Sequence, residues 1–181
     1  MPRIQPIDTS HTDMQTAKTL DAVRKKFGVM PNIFTTFANS PAALSSYVQL
    51  GEQLARGRLT AAQRERIALA VAQENACQYC LSAHAALGRG AGLGDRDIDK
   101  ARHGSAYDPF DKLVTSFALT LVRDRAELSD EQFAAAREAG LDDELMVEIV
   151  LNVTVNVMTN YLNKLASTEI DFPMVDLQSA A

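Results

Sequence analysis

Apolar residues recur every three to four positions along almost the whole chain, and polar caps and glycines punctuate them. Asp13 to Phe27 reads as an amphipathic helix closed by Gly28. Val29-Met30-Pro31-Asn32 then turns the chain into a short apolar segment around Ile33, Phe34 and Phe37. Ser40-Pro41 opens a second helix, with serine as cap and proline where a missing N–H costs nothing, and it runs through Leu44, Tyr47, Val48 and Leu54 to Gly57. Thr60 and Gln63 have the spacing of a capping box. The stretch they start, Ile67 to Ala72, is apolar on every side and is expected to be buried.

Asn75 and Gln78 repeat the cap spacing, which places Cys77 in the first turn of a helix ending near Gly88 or Gly90. Asp95 to Arg102 is a short polar helix. Asp108-Pro109 caps another carrying Leu113, Phe117 and Leu121, and Ser129 with Gln132 starts one ended by Gly140. The last helix runs from Asp142 or Asp143 to about Ser167. Within it Leu151, Val153, Val155 and Val157 alternate with Asn152, Thr154 and Asn156 as a half-buried strand would. A helical stripe through Met146, Val150, Val153, Val157 and Tyr161 competes, and a lone strand would have nothing to pair with, so helix is the reading. The pattern predicts an all-α fold, a single compact helical domain of about seven or eight helices.

At 181 residues the chain fits one domain, 1–181, able to bury a core without staples. The net charge of −5 offers no general attraction to phosphate backbones or anionic lipid, so neither nucleic acid nor a membrane surface is an expected partner. Ile149 to Asn163 lacks a formal charge but carries six Asn and Thr residues, which argues against a bilayer span. Met1 to Pro6 has no apolar run behind it that could serve as a signal segment, and a cytoplasmic location is expected. In that reducing compartment a structural disulfide framework is improbable for two cysteines, Cys77 and Cys80, so a metal or redox role gains weight.

Cys77, Cys80 and His84 stand at i, i+3 and i+7, within an arc of about 60° on one helix face. Rotamer choice can bring the two sulfurs to bonding distance, and His84 can take the Cys80 proton directly or through water. Glu65 stands at the entry to the buried helix; if that helix folds back antiparallel on the dithiol helix, its carboxylate can orient and charge-stabilise His84. Glu74 is the competing carboxylate, nearer in sequence and expected at a solvent-facing helix end. The helix terminus favours a Cys77 thiolate by roughly 0.3–1 kcal/mol. A positioned base is worth about 3–5 kcal/mol and favours Cys80.

These residues resemble the alkylhydroperoxidase D and carboxymuconolactone decarboxylase superfamily, whose redox branch has Glu, eleven residues, then Cys-x-x-Cys-x-x-x-His. Here the corresponding residues are Glu65, Cys77, Cys80 and His84. Val29 to Phe34, Gly57-Arg58-Leu59-Thr60 and Tyr79 to His84 resemble the peroxidase-related branch, with a motif core of about 28–122 and an echo in Asn160-Tyr161-Leu162-Asn163-Lys164. The resemblance implies a thiol-dependent peroxidase that needs no haem, flavin or metal. In it Cys80 attacks a hydroperoxide and becomes a sulfenic acid, Cys77 resolves it to a disulfide, and a dithiol reductant restores the thiols. It also implies a homo-oligomer, trimer or hexamer. Tyr79 stands where alkylhydroperoxidase D has a further histidine, and the decarboxylase branch lacks the Cys-x-x-Cys pair.

Other readings stay open. Cys77, Cys80 and His84 are three acceptable zinc ligands, with Glu65 or His103 as a fourth. Two cysteines one turn apart can also be packing in a non-catalytic structural helical protein. A thioredoxin fold is set aside, because no βαβ pattern surrounds the motif. His11 and His103 are expected to be solvated, Phe27, Phe34, Phe37, Phe117, Met146 and Met158 to be core, and Arg24-Lys25-Lys26 and Arg56 to Arg66 to form solvated faces.

Overall fold

A computed structural model describes residues 1–178, the His11 side chain excepted, so the expectation for His11 lies outside the described residues. They form a short 3-10 turn and nine α-helices: α1 Met14–Phe27, α2 Asn32–Phe37, α3 Pro41–Leu54, α4 Ala61–Glu74, α5 Gln78–Gly90, α6 Asp95–Arg102, α7 Pro109–Arg123, α8 Asp130–Glu138 and α9 Asp143–Ala166. No strand occurs among the described residues. The helix beyond the capped spans is α2, where Pro31 and the buried Ile33, Phe34 and Phe37 close what the sequence shows only as an apolar segment.

Capping follows the sequence signals closely. Asp13, Ser40, Asp108, Ser129 and Asp142 each accept backbone N–H groups at the start of α1, α3, α7, α8 and α9. Thr60 and Gln63 complete a capping box on α4. Gly28, at φ 75°, closes α1 in a left-handed conformation that glycine adopts without strain.

Helix α4 is the hub and packs against α5, α6, α7 and α9. Its apolar surface divides between two cores: Leu69 and Ala72 join one with α1, α2, α5 and α6, while Ile67 and Val71 join the other with α7, α8 and α9. That explains a helix apolar on all sides. Arg66, expected on a solvated face, is only 7% exposed. Its guanidinium lies 3.3 Å from Asp97 and 3.3 Å from Asp111, tying α4 to α6 and α7.

Helix α9 departs from the expected stripe. Met146 and Val153 are buried, but Val150, Met158 and Tyr161 face outward together with Val147, Leu151 and Leu165. The inward face carries Asn152, Asn156, Thr159, Asn160 and Asn163, all buried. By length and composition α9 alone among the described helices could cross a bilayer, yet half of its most apolar window is buried in the fold, as for a core helix. Some of its inward amides are satisfied locally, Asn152 donating to the Glu148 carbonyl at 2.9 Å and Asn156 to the Asn152 carbonyl at 2.8 Å. Burial of such groups elsewhere on the face requires partners on other helices.

Candidate active site

The turn between α4 and α5 builds the site. Asn75 caps the end of α4 rather than the start of α5, and Cys77 itself is the N-cap of α5, its Sγ accepting the Cys80 backbone N–H at 3.4 Å. The Cys77 N–H in turn donates to the Ala72 carbonyl at 2.9 Å, closing α4 around Ala76 at φ 50°. So tight a turn makes α4 and α5 antiparallel neighbours. Glu65 and His84 lie ten and nine residues from Asn75, about 15 Å and about 14 Å along the two helices, and therefore meet. His84 Nδ1 stands 2.8 Å from Glu65 Oε2, with side chains 21% and 20% exposed. Glu74 is directed elsewhere and pairs with Arg123 at 2.9 Å.

Both cysteines are free thiols and buried, at 1% and 2% exposure. Burial pushes the Cys80 thiol up. Against it act the Cys77 S–H, the Asn163 amide, the charge of His84 and the Asn160 amide, and together they lower it to about 7. Cys77 is raised, first by donating its hydrogen bond to Cys80, then by burial and the neighbouring sulfur's charge. The surroundings thus favour the proton on Cys77 and the negative charge on Cys80. Burial pushes His84 down, but the Glu65 charge, its hydrogen bond and the Cys80 charge raise it overall. Among the described residues no hydrogen bond joins His84 to either cysteine; His84 and Cys80 face a common cavity instead.

That cavity has a volume of about 50 Å³ and is walled by Cys80, His84, Tyr79, Phe34, Asn163 and Phe172, among others. It holds a few water-sized atoms. Phe27, Phe34 and Tyr47 separate it from an apolar groove of about 150 Å³ between α1 and α3. His84 also borders a more polar opening of about 140 Å³, lined by Glu65, Arg64 and Asn156 among others. Tyr79, at the position of the missing histidine, ties α5 to α2 by accepting the Ile33 N–H at 3.2 Å, and its ring meets Phe172 edge-on.

Helix α9 supplies what the sequence reading missed. Asn163 Nδ2 donates to Cys80 Sγ at 3.3 Å, while Asn163 Oδ1 is buried with no hydrogen-bond partner. Asn160 Oδ1 accepts from Asn75 Nδ2 at 3.0 Å; its own amide nitrogen, short of full hydrogen-bond geometry, faces Cys80. Lys164 Nζ caps the Asn75 carbonyl at 2.8 Å. The polar residues of Asn160-Tyr161-Leu162-Asn163-Lys164 therefore hold the turn and the sulfur. The signal available for this was four asparagines in a helix otherwise rich in valine and leucine. A second unforeseen element is the non-helical segment 167–178, in which Asp171 accepts from the Asn32 N–H, the Val175 N–H donates to Ser82, and Phe172 lines the cavity.

His103 ends α6 on the surface, hydrogen-bonded to Gln178. Among the described residues no group of three or more His, Cys, Asp or Glu side chains is placed to hold a metal ion, so the zinc reading finds no ligand set here.

Residues 41–124 match the model of the carboxymuconolactone decarboxylase family, a stretch that contains Glu65, Cys77, Cys80 and His84 but not α9. No curated protein matches the sequence. Among solved structures the chain is similar to the alkylhydroperoxidase AhpD core of a peroxidase-related protein from Ralstonia eutropha JMP134, with a TM-score of 0.85 at 24% identity, covering 94% of this chain and 92% of that one. A peroxidase-related protein from Silicibacter sp. TM1040 follows, with a TM-score of 0.78 at 22% identity and 92% of each chain. The debrominase Bmp8, in complex with 2,3,4-tribromopyrrole, has a TM-score of 0.78 at 16% identity, covering 93% of this chain and 91% of that one. These likenesses give the fold: an all-helical, alkylhydroperoxidase D-like domain.

Proposed function

We propose that this chain, whose residues 41–124 belong to the carboxymuconolactone decarboxylase family, is a thiol-dependent peroxidase that reduces hydroperoxides at its Cys77/Cys80 dithiol. The observation that carries the reading is the charge arrangement: a buried thiol lowered to about 7 beside a raised one, with a Glu65-held histidine across a cavity the size of a peroxide group.

The reaction follows from that arrangement. Cys80 thiolate attacks the terminal oxygen of a hydroperoxide, an S–O bond forms, and the O–O bond breaks. The departing alkoxide takes a proton from the His84 imidazolium, which Glu65 keeps charged and oriented through Nδ1. Solvent in the opening beside Glu65 returns that proton. Cys77, protonated until then, attacks the sulfur of the Cys80 sulfenic acid; the S–S bond forms and water leaves with the Cys77 proton. A dithiol reductant then reopens the disulfide by exchange. The groove beyond Phe34 suits the organic part of the substrate. Copies of this chain are the further partner we propose.

Intact mass after one equivalent of peroxide tests the reading: the wild type is expected to lose two hydrogens and retain no free thiol. Unmodified thiols, or stepwise addition of oxygen without a disulfide, would refute it.

A further inference from the structure

Asn163 carries a group that the reaction just described does not use. Its side chain is 3% exposed, lies in the cavity wall, and has its Nδ2 engaged by Cys80 Sγ while Oδ1 is buried with no partner. A buried carbonyl left unpaired is unfavourable, so a donor arriving there is favoured. Asn160 offers the contrast, since its Oδ1 is already taken by Asn75.

The geometry points to Asn163 Oδ1 as the substrate-binding acceptor that receives the O–H of the hydroperoxide and holds its terminal oxygen against Cys80. This rests on the peroxidase reading and names how that site recognises its substrate. Within one amide, the N–H marks the attacking sulfur and the carbonyl marks the oxygen to be attacked. An ether-type peroxide, ROOR′, has no proton to donate and leaves the acceptor unpaired. When the S–O bond forms and the O–O bond breaks, the hydrogen stays on the transferred oxygen. Asn163 Oδ1 therefore keeps its bond to the Cys80 sulfenic acid, holding that oxygen until Cys77 displaces it.

The test uses the full chain in the Cys77→Ser background and the ratio of two rates at Cys80: sulfenate formation with tert-butyl hydroperoxide, and alkylation with iodoacetamide. Both need the thiolate, so the ratio cancels the thiolate fraction. Asn163→Leu is expected to lower the ratio at least about tenfold. Asn163→Asp, which keeps an acceptor and the side-chain shape, is expected to preserve it. Asn160→Leu should slow both reactions together. An unchanged ratio in Asn163→Leu, or a fall in Asn163→Asp as large as in Asn163→Leu, overturns the assignment; if Asn163→Leu does not fold, Asn163→Ala, which also removes the acceptor, is read in its place. Cys80 that is alkylated normally but inert to peroxide without any substitution at Asn163 or Asn160 would overturn the peroxidase reading as well, and is thereby distinguished from failure of the Asn163 role alone.

Discussion

Cys80 lies under opposed pressures, burial disfavouring its charge and four neighbours favouring it, and the balance lowers it to about 7. The folded protein therefore gains thiolate as pH rises through about 7. His84 is raised from its ordinary value by the Glu65 charge and hydrogen bond and by the Cys80 charge, and it too loses its proton as pH rises. The rate of sulfenate formation is accordingly expected to be bell-shaped, limited on the acid side by Cys80 and on the alkaline side by His84. In Glu65→Gln the anion that raises His84 is gone while the burial that lowers it remains, so the alkaline limb moves down in pH. The thiolate also loses its charged partner, so the acid limb moves up. Stopped-flow rates across pH should show a narrower, lower bell for Glu65→Gln, and a peak about 10²–10⁴-fold lower for His84→Ala. An unshifted bell in Glu65→Gln would mean that the carboxylate has no part in the charge of His84.

At the scale of elements, the α4–α5 hairpin explains why Glu and Cys-x-x-Cys-x-x-x-His stand at their spacing. The four residues were legible because they lie on two consecutive helices, where the distance along each helix fixes which side chains meet. The α9 asparagines were not legible, because they reach the sulfur from eighty or more positions away and hydropathy marks them as solvent-facing. Only the helix that buries them supplies their partners. Val150 and Tyr161, expected inside, point outward because α9 turns that polar face to the dithiol. The hairpin also stores strain at Ala76, whose φ of 50° places a Cβ in the left-handed region at about 1–2 kcal/mol. Ala76→Gly is expected to stabilise the fold by about 0.5–1 kcal/mol, read as a thermal midpoint higher by roughly 1–4 °C. A lower midpoint would show that the Ala76 methyl contributes packing that outweighs its strain.

Across the whole molecule, α4 divides two cores and lends a face to each, while residues 167–178 lie over the cavity side of α5. The cap signals made the helices legible; the covering segment was not, since it is held by scattered hydrogen bonds through Asp171, Asp176 and Gln178 and by one aromatic edge, without periodicity. The outward face of α9 presents Val147, Val150, Leu151, Met158, Tyr161 and Leu165 along one side. A row of this kind is what a self-complementary interface requires, and the proposed association of copies is assigned to it. Sedimentation should show the wild type heavier than 19.7 kDa at micromolar concentration, and Tyr161→Glu with Leu165→Glu shifted toward the monomer. A monomeric wild type would remove this part of the account.

The central claim is that Cys80 is the nucleophile and Cys77 its resolving partner, and trapping the sulfenic acid with a dimedone-type probe after one equivalent of peroxide tests it most directly. Cys77→Ser is predicted to be labelled rapidly at Cys80, and Cys80→Ser to react slowly. Rapid labelling of Cys77 in Cys80→Ser, with none at Cys80 in Cys77→Ser, would contradict the account and place the reactive thiolate at the helix cap.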